Sequence, residues 1–146
     1  LILSNSFLES IVQETFRIKP PVPFINRKVI NRKFLFGTKE LSIDDELGVC
    51  ILLLNQQADV WSRPFDFMAD RFLERKFSPF EFAPFGGGAR KCIGSELATM
   101  ELKMLIGLCL SCLNLDLIEE SSPSLKVMQI TVGPKKPIYV TFKKKN

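Results

Sequence analysis

Residues 82–98 read FAPFGGGARKCIGSELA. Gly86, Gly87 and Gly88 stand in a row, followed by Arg90, Lys91, a lone Cys92 and then Gly94. A phosphate-binding loop would need Gly-Lys followed by Ser or Thr, but Lys91 is followed by Cys92. A dinucleotide fingerprint would need glycine where Lys91 stands. What remains is a cysteine at the start of a helix, with small residues around it. Backbone N–H groups at a helix N-terminus stabilise a thiolate. Glycines let a flat, bulky ligand lie against the backbone. A thiolate bound to a large planar metallocofactor needs that environment. A glycine-rich turn carrying a reactive or inert cysteine produces the same pattern, so these residues alone leave both readings open.

The surrounding chain narrows the classes. Its 146 residues suffice for one domain with a modest core. With 46% hydrophobic and 25% charged residues, the composition is that of a soluble globular protein. The net charge of +4 is mild and scattered apart from Lys143, Lys144 and Lys145, which read as a solvated tail, so nucleic acid is not an expected partner. Histidine is absent, which excludes an imidazole base or a His metal ligand within this chain. Cys50, Cys92, Cys109 and Cys112 have neither zinc-site spacing nor the density of a disulfide scaffold. A reduced, cytoplasmic setting is expected, with a membrane anchor upstream of this chain as the alternative. The most apolar stretch, residues 104–115, is too short to span a bilayer and predicts a buried core helix. Cys109 and Cys112 fall within it and read as two buried thiols. The chain begins at Leu1, already close to a helical pattern, and reads as a piece of something longer.

Phe7, Leu8, Ile11, Val12 and Phe16 recur at helical spacing, with Ser6 and Glu9 placed as a capping box and Pro20, Pro21 and Pro23 as the stop. Short strands and turns are expected over residues 24–49, then a strand entering a short helix. Residues 62–82, rich in Pro, Phe and charge, read as a meandering coil pinned by aromatic side chains. After Cys92 one long helix is expected, running through the apolar residues to Ile118. Two closing strands are expected around a Gly133-Pro134 turn.

Phe85, Gly88, Arg90, Cys92 and Gly94 reproduce Phe-x-x-Gly-x-Arg-x-Cys-x-Gly, and with that the chain resembles the cytochrome P450 family. Two further stretches follow the same family in order along the chain. Glu14 and Arg17 match the Glu-x-x-Arg of the helix the family calls K, and FMADRF, containing Arg71, resembles its Phe-x-Pro-Glu-Arg-Phe stretch. The implied fold is mainly α with small β-sheets. Residues 1–146 would form the C-terminal, haem-binding part of one such domain: helix K, meander, Cys loop, helix L and C-terminal strands.

The resemblance also implies roles. Cys92 would be the axial thiolate of the iron in haem b, with Phe85 packed beside it and Gly88 and Gly94 permitting close approach. Arg90 and Arg27 would neutralise the propionates. Glu14, Arg17 and Arg71 would form a buried structural triad. Read from the residues alone, Glu14 and Arg17 lie off the apolar stripe, as an exposed i, i+3 ion pair. Val22, Phe24 and Met128 would face the substrate. The implied activity is insertion of one oxygen atom from O2 into a small hydrophobic substrate. The electrons would come from a ferredoxin, a flavodoxin or a reductase. The spacing from DRF to FGGG resembles bacterial and fatty-acid-type members.

Departures are visible. Ala69 and Asp70 replace the usual Pro and Glu, DDEL stands where Pro-x-Gly is usual, and NQQ where His-Arg-Asp is common. The family's oxygen-activating helix I is not in this chain, so the chain alone is expected to be inactive. A truncated non-catalytic remnant and a haem-thiolate isomerase or peroxygenase are the alternatives.

Overall fold

The computed structural model describes residues 2–31, 33–118 and 123–145. A 3-10 turn, Ile2–Ser4, leads into helix α1, Ser6–Ile18. Asn5 caps that helix, its Oδ1 accepting from the Leu8 N–H at 2.9 Å. The expected Ser6–Glu9 box therefore does not form, and the cap lies one residue earlier. Ser6 is already helical, and the Glu9 carboxylate turns outward to Lys103, 3.0 Å away. The helix ends where the sequence predicts, because Pro20 and Pro21 have no N–H to continue the ladder.

Strands β1 (Phe24–Lys28) and β4 (Glu46–Cys50) pair antiparallel, Phe24 opposite Cys50 and Lys28 opposite Glu46. Between them, β2 (Phe34–Phe36) and β3 (Lys39–Leu41) form a smaller hairpin turned by Gly37 at φ 59°. β4 runs directly into the short helix α2, Ile51–Leu54. The meander that follows contains one helical turn, α3, Arg71–Glu74. Its irregular backbone is pinned by rings. Trp61 stacks on Phe77 at 4.2 Å, and Phe72 meets Phe77 at 5.2 Å and Phe82 at 4.9 Å. Such pairs add about 0.5–1.5 kcal/mol each beyond the area they bury.

Helix α4 spans Ser95–Cys112, shorter than expected. The next residues, Leu113–Leu117, form strand β5. Leu113, Leu115 and Leu117 alternate with Asn114 and Asp116, and this period of two overrides the run of leucines that suggests more helix. β5 pairs with β8, Val140–Lys144. Lys145 closes the end of α4, its backbone N–H donating to Cys112 O at 2.8 Å and its ammonium to Leu110 O at 2.5 Å.

Two further expectations fail here. α4 is apolar but not a buried core helix: Met104, Leu105, Leu108 and Leu110 are exposed, and among the described residues its main neighbours are α1 and the Ile2–Ser4 turn. Cys109 is accordingly half-buried and Cys112 exposed. The closing strands also differ. β6 (Leu125–Met128) and β7 (Thr131–Pro134) turn at Gln129 and Ile130, with Gln129 at φ 58°, while Gly133 and Pro134 lie inside β7. A Cβ on Gly133 would come within 2.6 Å of Met128 Cε, the movable end of an exposed side chain.

Candidate functional site

Three elements converge around the Cys92 loop. Gly86 at φ 73° and Gly88 at φ 66° take left-handed backbone that a side chain disfavours, whereas Gly87 is extended. These turns bring the Cys92 N–H to Phe85 O at 3.0 Å, closing the loop on itself. Gly88–Arg90 is a 3-10 turn, and α4 begins only after Gly94. Cys92 thus sits just ahead of the helix rather than in its first turn. Cys92 is exposed, as are Arg90 and Ile93, and a Cβ on Gly94 would lie 3.9 Å from its Sγ.

The loop rests on two supports. Phe16 of α1 meets Phe85 edge-on at 5.1 Å. Ile25 of β1 reaches Gly86, its Cδ1 3.7 Å from where a Cβ would stand. Side chains two apart share a strand face, so Arg27 lies on the Ile25 face of β1. Its guanidinium is exposed, and its one hydrogen bond is to Asn26 O. Phe24 lies on the opposite face, over Gly48, where a Cβ would come within 2.1 Å of its ring. Val22 and Phe24 are brought towards the β6–β7 hairpin by a bond from the Val132 N–H to Pro21 O at 2.7 Å. Phe24 and Met128 remain exposed.

Beneath this surface lies a buried ionic network. Arg17 holds both oxygens of Glu14, at 2.7 and 2.8 Å, and both residues have no exposed surface. The exposed ion pair read from the helical wheel is thereby corrected. α1 has two covered sides: Leu8, Val12 and Phe16 pack on one, and the meander encloses Glu14 and Arg17 on the other. Arg71 Nε joins Glu14 Oε1 at 3.3 Å, and the Met68 N–H donates to the same oxygen at 2.8 Å. Two cations on one anion leave a surplus positive charge in the interior. Backbone carbonyls answer it. Arg17 donates to Asn55 O, Pro64 O and Asp66 O, and Arg71 to Ser62 O, Arg63 O and Asp66 O. The Arg17 guanidinium also lies 5.1 Å from the centre of the Trp61 ring.

Asn55, the first residue of the NQQ departure, belongs to this network and carries no signal of periodicity. It is fully buried, and its Nδ2 donates to Arg17 O at 3.2 Å and Phe16 O at 3.4 Å. Lys103 is a second residue without a sequence signal, buried and bonded to Leu3 O and Glu9.

Two clefts lie side by side behind the Cys loop. One, of about 310 Å³, is lined by Phe16, Phe82, Phe85, Gly88 and Lys91 among others. The other, of about 410 Å³, is lined by Gln13, Phe72, Arg75, Lys76 and Phe77 among others. Cys92 lines neither. Arg75 pairs with Glu81 and lies over the Phe77 ring at 4.2 Å. The Ser78 N–H donates to Glu81 at 2.9 Å, and this bond, ahead of the Arg75 charge, holds the Glu81 carboxyl below the usual glutamate range. Among the described residues no three His, Cys, Asp or Glu side chains are grouped to hold a metal ion. No helix among them is long and apolar enough to cross a membrane.

Residues 5–142 match the family described as cytochrome P450. Cytochrome P450 4d1 of Drosophila melanogaster is 28% identical over 137 residues, covering 90% of this chain and 27% of its own length. Probable cytochrome P450 4s3 of the same species is 36% identical over 109 residues, 73% of this chain and 22% of its own. Putative cytochrome P450 137 of Mycobacterium tuberculosis is 24% identical over 139 residues, 95% of this chain and 29% of its own. Among solved structures, a cytochrome P450DA mutant heme domain superposes with a TM-score of 0.81 at 23% identity, covering 95% of this chain and 31% of that one. A zebra fish cytochrome P450 with abiraterone gives 0.81 at 25% identity, covering 97% of this chain and 34% of that one.

Proposed function

This chain belongs to the cytochrome P450 family, and we propose that it is the thiolate-side, haem-holding part of a haem-thiolate monooxygenase, the C-terminal portion of a single larger domain. The chain spans 27% of cytochrome P450 4d1, so the activity is that of the whole protein. The observation that carries the proposal is the exposed Cys92 on a loop whose shape is set by Gly86, Gly88 and the Phe85 carbonyl.

The residues present fit haem b. A thiol stands exposed, nothing lies within 4 Å of where Cβ atoms on Gly87 and Gly88 would be, and the guanidinium groups of Arg90 and Arg27 are exposed nearby in the fold. When bound, the haem supplies the activation of O2 that lets one oxygen atom enter an organic substrate.

The chain's own residues then divide the work. Cys92 would hold the iron through its thiolate and donate electron density to the bound group. Phe85 holds the ring beside the thiolate; Gly88 and Gly94 leave room for close approach. Arg90 and Arg27 neutralise the propionates. Glu14, Arg17 and Arg71 keep α1 and the meander in register beneath the loop. Val22, Phe24 and Met128 face a small hydrophobic, fatty-acid-like substrate. The two clefts behind the loop lie on the side that receives an electron donor, a ferredoxin, a flavodoxin or a reductase. Water must be excluded on the face opposite the thiolate, and of the described residues only the segment around Val22 and Phe24 and the hairpin at Met128 would reach it. The chain alone is therefore expected to lack coupled turnover.

The test is spectroscopic. The reduced carbon-monoxide complex of the haem-loaded protein should show the red-shifted Soret band of a thiolate ligand. Retention of that band by Cys92→Ser would overturn the assignment.

A further inference from the structure

An α-helix leaves its last carbonyls without partners unless residues beyond the end supply N–H groups. In α1 the carbonyl of Thr15 is served by the Lys19 N–H at 2.8 Å. The next two, Phe16 O and Arg17 O, would be served by residues 20 and 21. Both are proline and have no N–H. Asn55 supplies the two missing bonds through one amide nitrogen, to Phe16 O at 3.4 Å and Arg17 O at 3.2 Å. Its own backbone carbonyl, at the end of α2, accepts from Arg17 Nη1 at 2.9 Å. The Asn55 side chain thus ties the two helix ends to each other, and its backbone carbonyl ties them to the Glu14 network.

The chain leaving this joint has little else to direct it. Residues 20–23 form no regular element, and their bonds outward are Pro21 O from the Val132 N–H and Pro23 O from the Leu52 N–H. We propose that Asn55 is a positioning residue: it replaces the donors that Pro20 and Pro21 remove, and so sets the direction in which the chain leaves α1 towards Val22, Phe24 and β1. This rests on the geometry of the joint and stands whether or not the substrate-facing role given above to Val22 and Phe24 holds.

The side chain's chemistry makes the idea testable. Asn55 Oδ1 is buried and accepts no bond among the described residues. The donor is therefore the part of the amide that the fold uses. Asn55→Asp keeps the shape and loses the donor. Asn55→His keeps one ring N–H at similar reach, to be shared between the two carbonyls, and loses the idle oxygen. In the full chain, Asn55→Asp should raise the unfolding equilibrium constant about tenfold or more for each carbonyl left without a donor, and Asn55→His far less. Native-state hydrogen exchange should show Val132 and Leu52 accelerated by Asn55→Asp beyond the amides of β5 and β8. In a Pro20→Ala, Pro21→Ala background, where backbone N–H groups are restored, the penalty of Asn55→Asp should shrink by at least fivefold. Equal effects of Asp and His, a uniform change in exchange, or strict additivity with the proline substitutions would each overturn the proposal.

Discussion

Arg71 Nε lies 3.3 Å from Glu14 Oε1 across a separation of 57 residues, and Arg17 binds both oxygens of the same carboxylate. Glu14 is thus the single anion between two guanidinium groups. Removing it leaves two buried cations facing each other. Removing Arg71 leaves Glu14 paired but strips donors from three meander carbonyls, Ser62 O, Arg63 O and Asp66 O.

Arg71→Ala is expected to cost roughly 3–5 kcal/mol, as does breaking one partner of a buried pair. Glu14→Gln is expected to cost at least as much, because the charge between the two cations disappears while the shape remains. Urea unfolding followed by circular dichroism measures both. A fully folded Arg71→Ala protein that binds haem normally and is merely slow would assign Arg71 to the chemistry instead.

The glycines of the Cys loop give an internal control. Gly86 and Gly88 have φ of 73° and 66°, whereas Gly87 is extended with nothing within 4 Å of a added Cβ. Alanine at position 86 or 88 is expected to cost about 1–2 kcal/mol from left-handed strain. Gly87→Ala should be close to neutral in thermal unfolding. Equal losses at all three positions would mean that the loop responds to bulk rather than to backbone conformation.

These examples show what was legible in the chain. The Cys loop could be read because its signal is local: fixed residues at fixed spacing. The first covered side of α1 could be read because Leu8, Val12 and Phe16 recur with the helical period. Its second covered side could not, because the segment enclosing Glu14 and Arg17 is irregular and leaves no period in the sequence. The leucines of β5 fit a helical run and a two-residue alternation equally well until β8 pairs with them. Gly133-Pro134 has turn composition, but both residues pair within β7, and the turn falls at Gln129 and Ile130. The apolar character of α4 was plain, but composition does not say which element covers which side.

Glu81 yields a pH dependence. The Ser78 N–H and the Arg75 charge hold its carboxyl below the usual glutamate range. A group depressed in the folded state binds fewer protons there than in the unfolded chain, so its contribution is complete above the ordinary glutamate value. It is lost as pH falls below that value and through the folded one. The 75–81 loop should therefore loosen in mild acid before the rest of the protein. Limited proteolysis between pH 6 and about pH 3 checks this, with Ser78→Pro, which removes the N–H, shifting nicking to higher pH. A carboxyl resonance of Glu81 titrating at the ordinary value would contradict it.

The clefts behind the Cys loop make a prediction about electron delivery. They are walled by Phe77, Phe82 and Phe85 and edged by Lys76 and Lys91. Arg75 is already committed to Glu81 and the Phe77 ring, while Lys91 is only loosely matched to Glu96 at 4.0 Å. The free positive charge on this face therefore rests on Lys76 and Lys91 more than on Arg75. An acidic donor steered by these charges associates faster at low salt, and the advantage is screened once the Debye length falls to a few ångströms. Lys91→Glu is expected to slow haem reduction by such a donor about tenfold at low ionic strength and scarcely at all near 1 M salt. Arg75→Gln should have a smaller effect. Stopped-flow reduction with a ferredoxin or flavodoxin across a salt series measures this. A rate indifferent to salt, or one in which Arg75→Gln costs more than Lys91→Glu, would place the docking surface elsewhere.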